Sequence, residues 1–122
     1  MGQDWSPNAE AAAHYKGDEM LFHVKATHSE DNCPMYRQEL MPAMLEAMSS
    51  GEDSAKEAGV NVLFSVVDTP AHVIYALVEA ESVAAISRWL FSFPVRQHAD
   101  IRAVEDMEDL VERARAMMEA SK

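Results

Sequence analysis

Cysteine is nearly absent from this 122-residue chain, with Cys33 the only one. A single thiol excludes an internal disulfide framework, and a free thiol is commonest in a reducing compartment, so the expected location is cytoplasmic. Basic residues are also scarce: Lys and Arg total 10 against 21 Asp and Glu, for a formal net charge of -11. A field of that sign repels phosphate backbones and anionic membranes, so neither nucleic acid nor membrane is an expected partner. No run approaches the roughly 20 apolar residues of a membrane helix, and the N-terminus has no basic region followed by an apolar one. Met1-Gly2-Gln3-Asp4-Trp5-Ser6 fits the bare N-myristoylation pattern, which is short enough to arise by chance and is read as coincidence. Gly-x-Gly-x-x-Gly, a Walker loop and Gly-x-Ser-x-Gly are all missing, which removes support for dinucleotide binding, phosphate cradling and a hydrolase elbow.

What remains suits one domain with a single core. Residues 1–19 mix polar residues with a short alanine run and read as an arm, while 20–122 form the domain. Trp5 and Tyr15 in the arm call for docking, on the domain itself or on a neighbouring subunit, unless the arm is a targeting or cargo peptide. The organising stretch is Met20 to His28. Phe22, Val24 and Ala26 alternate with His23, Lys25 and Thr27, the period of two expected of a strand with one core face and one polar face.

Beyond it, Pro34 suits a first helical position, and Tyr36, Leu40, Met41, Met44, Leu45 and Met48 recur at helical spacing. Pro42 inside that helix should bend or divide it. Met41, Met44 and Met48 read as adaptable core filling rather than soft metal ligands. Ser54 to Ala58 adds a helical turn that Gly59 can cap in left-handed geometry. Val60 to Asp68 and His72 to Glu79 read as a hairpin around Thr69-Pro70-Ala71. Ser82 can cap a second helix with Val83, Ile86, Leu90 and Phe93 on one side, ended by Pro94. Gln97 to Glu105 is the last strand, and Asp106 caps a third helix with Met107, Leu110, Val111, Ala114 and Met117 on one side. On that helix Asp109 and Arg113 sit at ion-pair spacing.

The fold class is therefore α+β: the split β-α-β-β-α-β of the ferredoxin-like fold with an extra C-terminal helix and an antiparallel four-stranded sheet in the order 4-1-3-2. An open sheet face bearing aliphatic residues is costly in water, so a homo-oligomer is expected, a dimer or a multiple of dimers paired sheet to sheet. With the first and third strands taken as parallel, His28, Cys33 and His98 fall at one end of the sheet. His23 and His72 then fall toward the other, with His23 and His28 roughly 16 Å apart.

The Met20-Leu21-Phe22-His23-Val24 opening, the strand pair from Val62 to Val78, and Leu90-Phe91-Ser92-Phe93-Pro94 followed by Asp100-Ile101-Arg102-Ala103-Val104 resemble the muconolactone isomerase-like group of dimeric α+β barrels. The resemblance runs over roughly residues 20 to 110. It implies association through the open sheet and a small-molecule pocket between sheet and helices or at the subunit interface. The arm, the His28-Ser29-Glu30-Asp31-Asn32-Cys33-Pro34 loop and the acidic segment around Glu52 and Asp53 depart from that group, and no catalytic residue is carried over.

Two functional expectations follow. The first is a small-molecule enzyme or binding protein without a cofactor, carrying out isomerase-like proton transfer on a small anionic organic compound. His23 and Lys25 on the first strand would face Asp100 and Arg102 on the fourth, with His23 as proton shuttle and Arg102 as anchor for a carboxylate. The same four residues also suit a purely structural polar network at a dimer interface. The second is a metal-binding protein in which His28, Cys33 and His98, with Asp31 nearby, hold zinc, copper or nickel. A non-catalytic assembly subunit is a further alternative. Trp89, Phe91 and Phe93 either line an aromatic pocket or belong to the core.

Overall fold

A computed structural model of the chain describes residues 19–121. The arm, with Trp5 and Tyr15, lies outside the described residues except for Glu19. The strands are β1 (Met20–Thr27), β2 (Val60–Asp68), β3 (Val73–Ala80) and β4 (His98–Val104). The helices are α1 (Met41–Ser49), α2 (Gly51–Ala58), α3 (Val83–Leu90) and α4 (Met107–Ala120). They form an α+β domain of ferredoxin-like order, with a four-stranded antiparallel sheet arranged β2-β3-β1-β4.

One sequence expectation fails here, and it matters for the site. β1 and β3 are antiparallel, with Met20 opposite Ala80 and Thr27 opposite Val73. The reason is topological. The helical crossover returns β2 parallel to β1, and the tight hairpin at 69–72 then reverses the chain into β3. His72 therefore lies at the His28 end of the sheet, not beside His23.

Helix one also differs from its expectation. Residues 34–40 form turns and a short 3-10 segment, and α1 begins only at Met41, with Pro42 in its first turn where the missing N–H has no helical partner to lose. Of the apolar stripe only Met44 is buried, whereas Tyr36, Leu45 and Met48 are exposed. Gly59 terminates α2 at φ 85°, the left-handed geometry that a side chain resists. Ser82 accepts a hydrogen bond from the Ala85 N–H, and Asp106 accepts one from the Glu108 N–H, so both N-caps form as their sequences indicate. Arg113 pairs directly with Glu105 at 2.9 Å, and Asp109 one turn away adds only a weaker electrostatic attraction.

Alternation and register divide the sheet into two faces. Phe22, Val24, Ala76, Val78 and Val60 turn toward the helices and pack with Ala85, Ile86 and Trp89 in one core. Ile86 is fully buried, and burying a side chain of that size stabilises the fold by about 1.5–3 kcal/mol. A bulge between Val62 and Phe64 inserts Leu63 as an extra residue and inverts the alternation. Phe64 and Val66 consequently join the opposite face and are exposed. Also on that face, Asn61 donates to the buried Glu79 carboxylate at 2.8 Å. The apolar side of α4 is exposed at Met107, Leu110 and Met117, and among the described residues the helix has no extensive contact with another element.

Candidate metal centre

Three segments converge where β1 ends. His28 follows β1, and its backbone N–H donates to the His72 carbonyl at 3.2 Å, tying the strand end to the hairpin turn. The turn is closed by the His72 N–H donating to the Thr69 carbonyl, and the Asp68 carboxylate accepts from the Ala71 N–H. His72 pays for its place in that turn with φ 60°, a left-handed conformation uncommon for a residue other than glycine. Cys33 is held between successive tight turns: its N–H donates to the Glu30 carbonyl and its carbonyl accepts from the Tyr36 N–H. Its thiol side chain is buried.

One ligand-capable atom from each of His28, Cys33 and His72 lies within 4.8 Å of the others. The two imidazoles meet nearly edge to face, with centroids 5.2 Å apart, and the Tyr36 ring stands 5.7 Å from His72 on the loop side. Both ring nitrogens of His28 and Nδ1 of His72 are buried without a hydrogen-bond partner. Leaving a buried polar atom unpaired costs about 1–3 kcal/mol, so three in one place require an explanation. Burial, and secondarily the neighbouring His72, hold the His28 imidazole below its ordinary pKa, a shift in favour of the neutral form that ligates metals.

Two imidazoles and a thiol are a donor set for late first-row ions, zinc above all. Tetrahedral bonding at zinc distances would bring the donor atoms to roughly 3.3–3.6 Å from one another. Separations of up to 4.8 Å need a contraction of at most about 1.5 Å, within the reach of side-chain rotation. Three donors leave one coordination position for another ligand, the arrangement of a site that binds exogenous molecules.

The other residues singled out from the sequence stand outside the cluster, although His98 shares its end of the sheet and lines a recess with His28. His98 is opposite Thr27 on β4, exposed, and is not among the converging donors; Asp31 is also exposed and outside them. On the open face the register places His23 opposite Arg102 and Lys25 opposite Asp100. No ion pair joins those four among the described residues, and the nearest ring to His23 is Tyr75, with centroids 6.1 Å apart. His72 is the residue that sequence reasoning misplaced, and the signal that could have found it is the direction of β3.

Two recesses adjoin the cluster's end of the sheet. One, of about 330 Å³, is lined by Thr27, His28, Ser29, Asn32, Arg96, Gln97 and His98. The other, of about 380 Å³, lies between α3 and β4 and includes Leu90, Phe91, Val95 and Ile101 together with Arg96 and Gln97. Phe91 thus lines a recess, whereas Trp89 is a core residue stacked edge to face on Phe93.

A ferredoxin-like α+β domain with a His-Cys-His cluster at one end of its sheet is the class of protein that fold and site define. Within it, the chain belongs to the family described as Domain of unknown function (DUF3303), whose family model matches residues 20–118. No curated protein matches the chain, and no solved structure matches it. Among the described residues no helix is long and apolar enough to cross a membrane.

Proposed function

We propose that this protein binds a late first-row transition ion, zinc foremost, through His28, Cys33 and His72, with the fourth position open to an exogenous ligand. The observation that carries the reading is the convergence of three donors within 4.8 Å. It is reinforced by buried imidazole nitrogens without partners, which a metal would satisfy. Protein purified without chelator and titrated with Co²⁺ tests it. One ion per chain and a thiolate charge-transfer band are expected, with both lost in Cys33→Ser and His72→Ala and both retained in His98→Ala. A wild type that takes up no stoichiometric metal ends the reading.

A second reading keeps a cofactor-independent, isomerase-like proton transfer on the open face, supported by the register that sets His23 opposite Arg102 and Lys25 opposite Asp100. It includes membership of the muconolactone isomerase-like dimeric α+β barrels and pairing of protomers through that face. Exposed Phe64 and Val66 on it favour such pairing. Sedimentation of the wild type tests the pairing, and a monomer would count against it.

A further inference from the structure

The two recesses share Arg96 and Gln97, and the first also includes His28 of the metal cluster. They differ in character. The recess between α3 and β4 is lined by Leu90, Phe91, Val95, Ala99 and Ile101, and its size lies within the range of small-ligand sites. The recess at His28 is lined by residues that bear hydroxyl, amide, imidazole and guanidinium groups.

Arg96 stands at the junction as the arginine that lines both recesses, and like Arg102 and Arg115, which line neither, its guanidinium is not tied to another group among the described residues. Arg37 pairs with Glu39, Arg113 pairs with Glu105, and Arg88 donates to the Ala58 carbonyl. Arg96 has no hydrogen-bond or ion-pair partner among the described residues. In a chain of net charge -11, an uncommitted guanidinium beside an apolar recess selects a negative head group against the prevailing field. Gln97 is already committed, its side-chain amide donating to the Leu90 carbonyl at 3.2 Å and bracing the segment that carries Arg96.

From this arrangement we infer that the joined recesses bind an amphipathic monocarboxylate, with its carboxylate between Arg96 and the open position of the metal and its alkyl or aryl tail against Leu90, Val95 and Ile101. The inference rests on the metal reading for the coordinating half of the site. Register supports the alignment: Thr27 lies opposite His98, which brings the strand end before His28 alongside the segment leading from Arg96 into β4.

The test uses the full chain loaded with Co²⁺, and octanoate, acetate and 1-octanol as probes. Octanoate should alter the cobalt ligand-field spectrum and shift backbone amide resonances of Leu90, Val95, Arg96, Gln97 and Ile101. Acetate should give the spectral change at higher concentration, because it lacks the tail, and octanol should leave the cobalt spectrum unchanged. Arg96→Gln should weaken octanoate binding by about tenfold or more, the effect of one charge-assisted contact, while Co²⁺ affinity stays at the wild-type value. Co²⁺ uptake with a spectrum that octanoate does not change overturns this inference and leaves the metal site standing. Amide shifts confined to the open sheet face, or equal octanoate affinity in Arg96→Gln, overturn it as well. Failure of the wild type to bind Co²⁺ overturns the metal reading, and this inference with it.

Discussion

His72→Gly should make the metal-free protein more stable and abolish its response to metal, two effects of opposite sign from one substitution. His72 holds φ 60°, and a side chain in that region costs about 1–2 kcal/mol that glycine does not incur. Its buried Nδ1 has no partner, a further cost of about 1–3 kcal/mol that disappears with the ring. Against these gains stand the greater freedom of glycine in the unfolded chain, about 0.5–1 kcal/mol, and the loss of ring contacts with His28 and Tyr36, each about 0.5–1.5 kcal/mol. The net is a gain of about 1 kcal/mol, or about 4 °C in the melting temperature of a domain of this size. Zinc at a hundredfold excess over its dissociation constant should add about 2.7 kcal/mol to the wild type and nothing to the variant. Thermal unfolding followed by circular dichroism, with and without zinc, reads both effects. His72→Ala is the control, because it loses the ring but keeps the backbone strain, and it should melt below His72→Gly in the absence of metal. If alanine proves as stable as glycine, the strain argument fails; if His72→Gly keeps the wild-type zinc shift, the site is wrong.

Acidification should destabilise the metal-free protein. Because burial and His72 lower the folded-state pKa of His28 from 6.5, the unfolded chain takes up the proton first. Stability from this group is therefore complete above about pH 6.5 and is lost as pH falls toward the folded-state value, which denaturant midpoints across that window would show. Metal affinity should fall as pH falls, since protons compete with the metal for its ligands, and Co²⁺ titrations at several pH values measure it. Ile86→Ala, at the fully buried centre of the core, should cost about 2–5 kcal/mol by urea unfolding, and a smaller loss would show that the core rearranges to fill the space. His23→Ala and Arg102→Gln, on the open face, should leave Co²⁺ affinity unchanged; a loss in either would tie that face to the metal centre.

Much of the fold is legible in local chemistry. Val60 to Asp68 is strand as its β-branched run indicates, Ser82 and Asp106 cap the helices they precede, and Gly59 ends α2. Each depends on neighbours within a few residues. The beginning of α1 was less legible, because Pro34 and Pro42 are both compatible with a first turn, and only the packing of residues 34–40 as tight turns decides between them. The metal set was legible in part. His28 and Cys33 are close in sequence, so the loop between them brings them together almost regardless of the rest of the chain.

The third donor depended on strand direction. His72 and His98 are both histidines at the margin of a strand, and nothing local distinguishes them as partners for His28. Periodicity by itself determined that β1 has one apolar and one polar face, and charge determined which partners the chain repels. The tertiary structure alone decided that the hairpin at 69–72 reverses β3 against β1, carrying His72 to the end of the sheet that His28 and His98 share and setting it, not His98, within reach of the buried Cys33. Side-chain alternation is a property of a few consecutive residues, whereas which strand ends coincide is set by crossover and register across 44 residues of separation, His28 to His72.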